Sequence, residues 1–200
     1  MKKITLIFLG ITLLAAACNN EKSTTDPKDN PGDTAAQGEI KPDAATEALT
    51  GGMEKKKEEL MKLTPLPAEQ LKALLPETFM GAARTNDDVG STNGANRAMA
   101  EYSINDSTIV RLEIYDCAGS AGSGIYSLQF MSLAGFQQET EEEYTKSVEI
   151  GGNTGFEHCD KTTNDCTVTF FGGDRFLVTL QGEKVGAPAL KHAAAQLKLK

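Results

Sequence analysis

Residues 108–124 read TIVRLEIYDCAGSAGSG. Ile109, Arg111, Glu113 and Tyr115 alternate with Val110, Leu112 and Ile114. A period of two is that of a strand with one face in a core and the other towards water. A glycine-rich run follows at once, and IYSLQFMSLAGF (125–136) then reads as a helix. Strand, glycine loop and helix is the order in which nucleotide-binding proteins hold phosphate. Here, however, Gly119, Gly122 and Gly124 give G-x-x-G-x-G, the dinucleotide fingerprint is G-x-G-x-x-G, and no Gly-Lys-Ser/Thr follows. Strands of a parallel sheet are covered on both faces and read as near-continuous apolar runs. Arg111 and Glu113 interrupt this one. The loop therefore reads as a turn into a buried helix, and no cofactor is expected.

Working outward, residues 98–104 pair with 108–116 through Asn105-Asp106-Ser107. Four further strands are predicted at 143–150, 153–160, 165–171 and 175–181. They are separated by Gly151-Gly152, Lys161 to Asn164 and Gly172-Gly173-Asp174. Such short turns join antiparallel neighbours, because parallel pairs need long crossovers. A helix is predicted over 68–75, bounded by Pro67 and Pro76, with Leu71, Leu74 and Leu75 inward. The helix of 122–136 is apolar over most of its circumference and should be largely buried. A last helix starts near Pro188, with Leu190, Ala193, Ala194 and Leu197 as its packing stripe. Residues 84–97, RTNDDVGSTNGANR, read as a loop with Asn93-Gly94 turn chemistry. The expected fold class is α+β: a mainly antiparallel sheet of about six strands with helices packed on it, forming one domain over 63–200. This element order resembles the PsbP-like α/β/α sandwich, with a cystatin-like or lipoprotein-carrier-like curved sheet as the competitor. The likeness rests on order alone and carries no functional residue across.

The chain opens MKKITLIFLGITLLAAACNN. Lys2 and Lys3 precede an uncharged apolar run that is short for a spanning helix but has the length of a signal-peptide core. Leu14-Ala15-Ala16-Ala17-Cys18 resembles the lipobox of bacterial lipoproteins, though Ala15 stands where leucine is commonest. The resemblance implies a signal peptide over 1–17 and diacylglyceryl attachment at Cys18. It implies a membrane partner held through the lipid and a place in the cell envelope. Asn19 differs from the aspartate of inner-membrane retention signals, which favours the outer membrane, facing the periplasm. Residues 19–50 are polar, rich in Pro, Gly, Asp and Thr, and read as a flexible tether. Residues 53–63, MEKKKEELMKL, read as a polar, solvated helix ending that tether at 62. Loss of Lys2 and Lys3 moves the formal charge from −8 to −10, which disfavours nucleic acid as a partner.

Three cysteines remain besides Cys18. Cys159 and Cys166 flank a predicted hairpin and are candidates for a disulfide in an oxidising compartment. If Phe156 and Val168 both face the core, strand parity sets the two cysteines on opposite faces, and a bulge or longer turn is needed. Cys117 is then left as a buried free thiol. A metal site from Cys117, His158, Cys159 and Cys166 is disfavoured, because adjacent strand residues point to opposite faces. Asn86-Asp87-Asp88 and Asp160 to Asp165 lack calcium-loop spacing. No G-x-S-x-G is present, and His158 and His192 are the two histidines available for a hydrolase. The expected function is a non-enzymatic binding or accessory domain with an envelope protein as partner. A carrier of a small apolar ligand held between sheet and helix is the first alternative; a hydrolase using His158 or His192 is the second.

Overall fold

The computed structural model describes residues 44–133 and 136–200, with the helical backbone alone for 44–50. The predicted signal peptide, Cys18 and most of the tether lie outside the described residues. The helices are α1 (Ala44–Met61), α2 (Ala68–Lys72), α3 (Gly119–Ile125) and α4 (Ala187–Ala194). The first strands are β1 (Thr78–Phe79), β2 (Ala82–Thr92), β3 (Ala95–Asn105) and β4 (Thr108–Asp116). They are followed by β5 (Gln138–Glu139), β6 (Glu143–Ile150), β7 (Asn153–Asp160), β8 (Cys166–Gly172) and β9 (Phe176–Gly182). A π turn, Tyr126–Phe130, and a 3-10 turn, Met131–Leu133, continue α3.

Among the described residues all nine strands form one antiparallel sheet in the order β1-β2-β3-β4-β9-β8-β7-β6-β5. Two hairpin meanders meet at its centre, where Leu112 lies opposite Leu180 and Ile114 opposite Val178. α3 and its continuation carry the chain from β4, at that seam, to β5 at the far edge. The count of six strands is thus corrected to nine. Residues 84–97 are no loop: they form most of β2, the turn and the start of β3, with Asn93 (φ 52°) and Gly94 (φ 82°) as the turn. β2 escapes the alternation test because it lies near the sheet margin, where neither face is deeply buried. β1 and β5 are two residues each, too short for a periodic signal, and as short edges they limit pairing with other chains.

Helices lie on both faces. Beneath α2 and α4 are Leu71, Leu75, Tyr102, Leu112, Val168, Phe170, Leu180 and Leu190. Beneath α1 and α3 are Met53, Leu60, Tyr115, Ile125, Tyr126, Phe130, Phe156 and Leu177. Edge-on rings knit this second core, with Tyr126 at 4.9 Å from Phe171 and Phe130 at 5.3 Å from Phe156. α1 is therefore packed on the domain rather than solvated: Met53 and Leu60, two turns apart, are both buried. The helix after β4 is less buried than its composition suggests, since Leu128 is 72% exposed. Among the described residues no helix is long and apolar enough to cross a membrane.

The two-sided core also corrects the parity of β7. Phe156 and Val168 face opposite sides; Glu157 is the residue opposite Val168. Cys159 and Cys166 then fall opposite each other on one face without a bulge. They are joined by a disulfide, with S–S 2.09 Å and Cα–Cα 4.2 Å.

Candidate functional site

The quoted glycine run serves packing. A Cβ on Gly122 would lie 2.4 Å from the carbonyl carbon of Cys117, so α3 presses directly on the end of β4. Gly119 takes φ 74°, a left-handed conformation that glycine adopts without a steric penalty. Beside the loop, Asp116 is fully buried. Its carboxylate accepts from Arg175 Nε (3.0 Å) and Nη2 (2.8 Å), from the Leu66 amide (2.6 Å) and from the Ala118 amide (3.2 Å). Arg175 Nη2 also donates to the Thr64 carbonyl at 3.0 Å. The loop thus abuts a carboxylate already saturated by donors, a poor place for phosphate.

A cleft of about 600 Å³ opens between α2, β1 and α4. Its first wall is Ala73, Leu74 and Pro76, where the α2 turn runs into β1. Tyr102 donates its hydroxyl to the Pro76 carbonyl (2.7 Å), and Arg84 Nη1 donates to the Leu75 carbonyl (3.2 Å). Burial pushes the Tyr102 phenol up to about 12, so it stays a donor. Phe79, 5.3 Å from the Tyr102 ring, and Met80 extend the wall. The second wall is one stripe of α4 and of the turn that follows it. Ala189, His192, Ala193 and Gln196 recur at helical spacing and line the cleft, while Leu190 and Ala194 point into the core. Leu197, Lys198 and Thr78 complete the rim.

α4 is fixed to the sheet by charge. Glu157 on β7 is buried, with Lys146 Nζ at 3.1 Å from Oε1 and Lys191 Nζ at 2.6 Å from Oε2. Burial, the largest influence, pushes the Glu157 carboxyl up, but the two ammoniums together outweigh it and hold it below the usual carboxylate range. Tyr144 donates to Oε1 at 3.2 Å. Neither Glu157 nor Asp116 was singled out by sequence. For Glu157 a signal existed: Gly155, Glu157 and Cys159 share one strand face, so a buried Cys159 implies a buried Glu157.

The residues singled out by sequence scatter. His158 lies exposed on β7, with Nδ1 2.9 Å from Thr145 Oγ1 and Nε2 3.9 Å from Glu143. His158 also lines a depression of about 300 Å³ with Arg111, Asp160, Asp165, Thr167 and Gln181, and neither Thr145 nor Glu143 lines it. Asp160 accepts from the Thr162 and Thr163 amides and Asp165 from the Lys184 amide, so both carboxylates are engaged in turns. His192 contacts Gln196, 2.9 Å between the Nε2 atoms. Cys117 is buried in the second core, and burial pushes its thiol up to about 12. Cys159 and Cys166 are spent on each other. Cys117, His158, Cys159 and Cys166 are therefore not brought together as a ligand set.

The fold and cleft define an α+β protein built on a single antiparallel sheet with helices on both faces and a groove at the ends of two of them. Comparison with family models, with curated proteins and with solved structures returns no match for the chain.

Proposed function

We propose that this chain is an exported, lipid-anchored lipoprotein of the cell envelope whose folded part is a non-enzymatic binding module. Cys18 carries the lipid, and the stretch after it sets the reach of the domain from the membrane. The binding surface is the cleft between α2, β1 and α4. One observation carries this reading: a groove of about 600 Å³ with an apolar lining of Leu74, Phe79, Met80, Ala193 and Leu197 and a polar one of Thr78, His192, Gln196 and Lys198. That volume lies within the range of small-molecule sites, which are apolar with a few placed polar groups. The groove runs between α2, the edge strand β1 and α4, whereas the space beneath the helices is filled by core side chains. The disulfide between Cys159 and Cys166 agrees weakly with an oxidising compartment outside the cytoplasm. The hydrolase alternative has less in its favour: His158 stands on an open sheet face and His192 faces an amide. A protein partner is a second reading, favoured by exposed Leu128 and by Phe136, 43% exposed.

The test is the full chain expressed with its own leader in a bacterial host. Intact mass should show acyl chains on Cys18, and Cys18→Ser should move the chain to the soluble fraction. Native mass spectrometry of the gently extracted protein should show small apolar adducts that Ala189→Trp, which fills the cleft, removes. An unmodified Cys18 would refute the anchor; adducts indifferent to Ala189→Trp would refute the cleft.

A further inference from the structure

Resting on that reading of the cleft, we propose that its ligand is a single-chain alkyl carboxylate, a free fatty acid, with its chain along Leu74, Phe79, Met80 and Leu197 and its head at Lys198.

The charge pattern carries the inference. The chain holds 28 acidic and 20 basic residues, yet no aspartate or glutamate lines the cleft. Its polar lining consists of Thr78, His192, Gln196 and Lys198. Most cations on the domain are matched: Lys72 with Asp87, Arg97 with Asp88 and Glu113, Lys161 with Glu139, and Lys191 with Glu157. Lys55, Lys62, Lys184, Lys198 and Lys200 have no such partner among the described residues, and of these five Lys198 alone lines the cleft. A groove with no carboxylate in its lining, and with an ammonium at its rim that is unpaired among the described residues, is complementary to an anion. One lysine matches a monoanion better than a phosphate dianion. His192 and Gln196, 2.9 Å apart, add polar groups to the same lining. The lining below is aliphatic and aromatic, and a groove of about 600 Å³ takes a ligand of drug size, one alkyl chain rather than two. Because the walls are fixed by the Tyr102–Pro76 bond and the Glu157–Lys191 pair, little ordering cost falls on the protein when the chain enters.

The experiment is calorimetric titration of the full chain carrying Cys18→Ser, so that its own acyl groups do not compete. The probes are decanoate, dodecanoate and tetradecanoate, each with its matching alcohol, below their aggregation concentrations. Affinity should rise about threefold to fourfold per buried methylene in both series. Carboxylates should bind about threefold to fivefold more tightly than alcohols, an advantage that shrinks with added salt. Lys198→Gln, at an exposed position, should erase that advantage and leave the alcohols unchanged. Ala189→Trp should abolish binding of both. If acids and alcohols bind equally, or if Lys198→Gln weakens both alike, the anionic head is refuted and the apolar cleft stands. If neither series binds, or Ala189→Trp changes nothing, the cleft reading fails and takes the fatty acid with it.

Discussion

Lys191 Nζ on α4 stands 2.6 Å from Oε2 of Glu157, a carboxylate buried beneath that helix on β7. The pair joins the outer wall of the cleft to the sheet, and Lys146 completes it from β6 at 3.1 Å. Removing one partner of a fully buried pair costs about 3–5 kcal/mol. Here the lysine side chains are 29% and 53% exposed, so both ammoniums can rehydrate. Glu157→Gln should therefore cost less, about 1–3 kcal/mol at neutral pH, in urea unfolding.

The same carboxylate sets a pH window. Its folded pKa is depressed below the usual carboxylate range by Lys191 and Lys146 acting against burial. The stability it contributes is present above the unfolded value, about 4.3, and is lost as pH falls through the lower folded value. Wild type and Glu157→Gln should thus differ at pH 7 and converge as the pH drops below about 4. Parallel unfolding curves at every pH would show that Glu157 is not the titrating group.

Gly122 and Gly124 sit two residues apart and should respond oppositely to alanine. A Cβ at Gly122 meets Cys117 backbone at 2.4 Å, and strand backbone cannot move aside. Gly122→Ala should destabilise by about 1–3 kcal/mol. Nothing lies within 4 Å of a Cβ at Gly124, and its φ is not left-handed. Gly124→Ala should be neutral or stabilise by up to about 1 kcal/mol. Denaturant midpoints of the two variants, side by side, check both. Equal losses would mean that the loop is sensitive to any side chain, as a ligand-contacting loop would be.

How much of this was legible in sequence varied by element. β4 and β9 announced themselves through Val110, Leu112, Ile114 and through Phe176, Val178, Leu180, because they form the central seam and their buried faces are continuous. The turn between β6 and β7 was equally plain, since Gly151-Gly152 adopts the positive φ that glycine favours, whereas Asn93-Gly94 was legible as a turn but not as one between two strands. β2 was hidden because its pairing with β3 is decorated by Asp88 and Arg97, with little apolar alternation. α1 was misread because Met53 and Leu60 are a sparse stripe among lysines and glutamates. β7 was misread because a sheet buried on both faces makes Phe156 and Val168 uninformative about parity. The cleft was invisible for a different reason. It brings 73–80 together with 189–198, and no local pattern records a meeting between segments that far apart.

The cysteines should separate cleanly by reactivity. In the Cys18→Ser chain, Cys117 is the remaining free thiol. Its thiol is pushed up to about 12 by burial, so thiolate is scarce at pH 8. A thiol reagent should find no reactive group in the native protein and one after unfolding in denaturant. With the bond between Cys159 and Cys166 closing so short a loop, its loss should lower stability by about 2–3 kcal/mol. Reduced and oxidised unfolding curves measure this. A native thiol that reacts at once would mean that the second core opens readily around Cys117.

Asp116 and Arg175 make the sharpest test of what holds the glycine-run end of β4. Their two-pronged contact, 3.0 and 2.8 Å, also gathers the Leu66 amide and the Thr64 carbonyl, and so holds the segment between α1 and α2 against the end of β4. Asp116→Asn removes the charge while keeping the shape, leaving Arg175, 21% exposed, without its counter-ion. The cost should be about 3 kcal/mol, at the low end for a broken buried pair because Arg175 reaches solvent. Arg175→Met alone should cost a similar amount, by leaving the carboxylate buried with two amides. The double variant should cost clearly less than the sum, with a coupling of about 1–3 kcal/mol. Hydrogen exchange at the Leu66 amide gives a local readout, since Asp116→Asn should speed it more than exchange in the β4–β9 seam. Additive losses, or uniform acceleration across the sheet, would mean that the two side chains contribute separately and that this segment is held by packing alone.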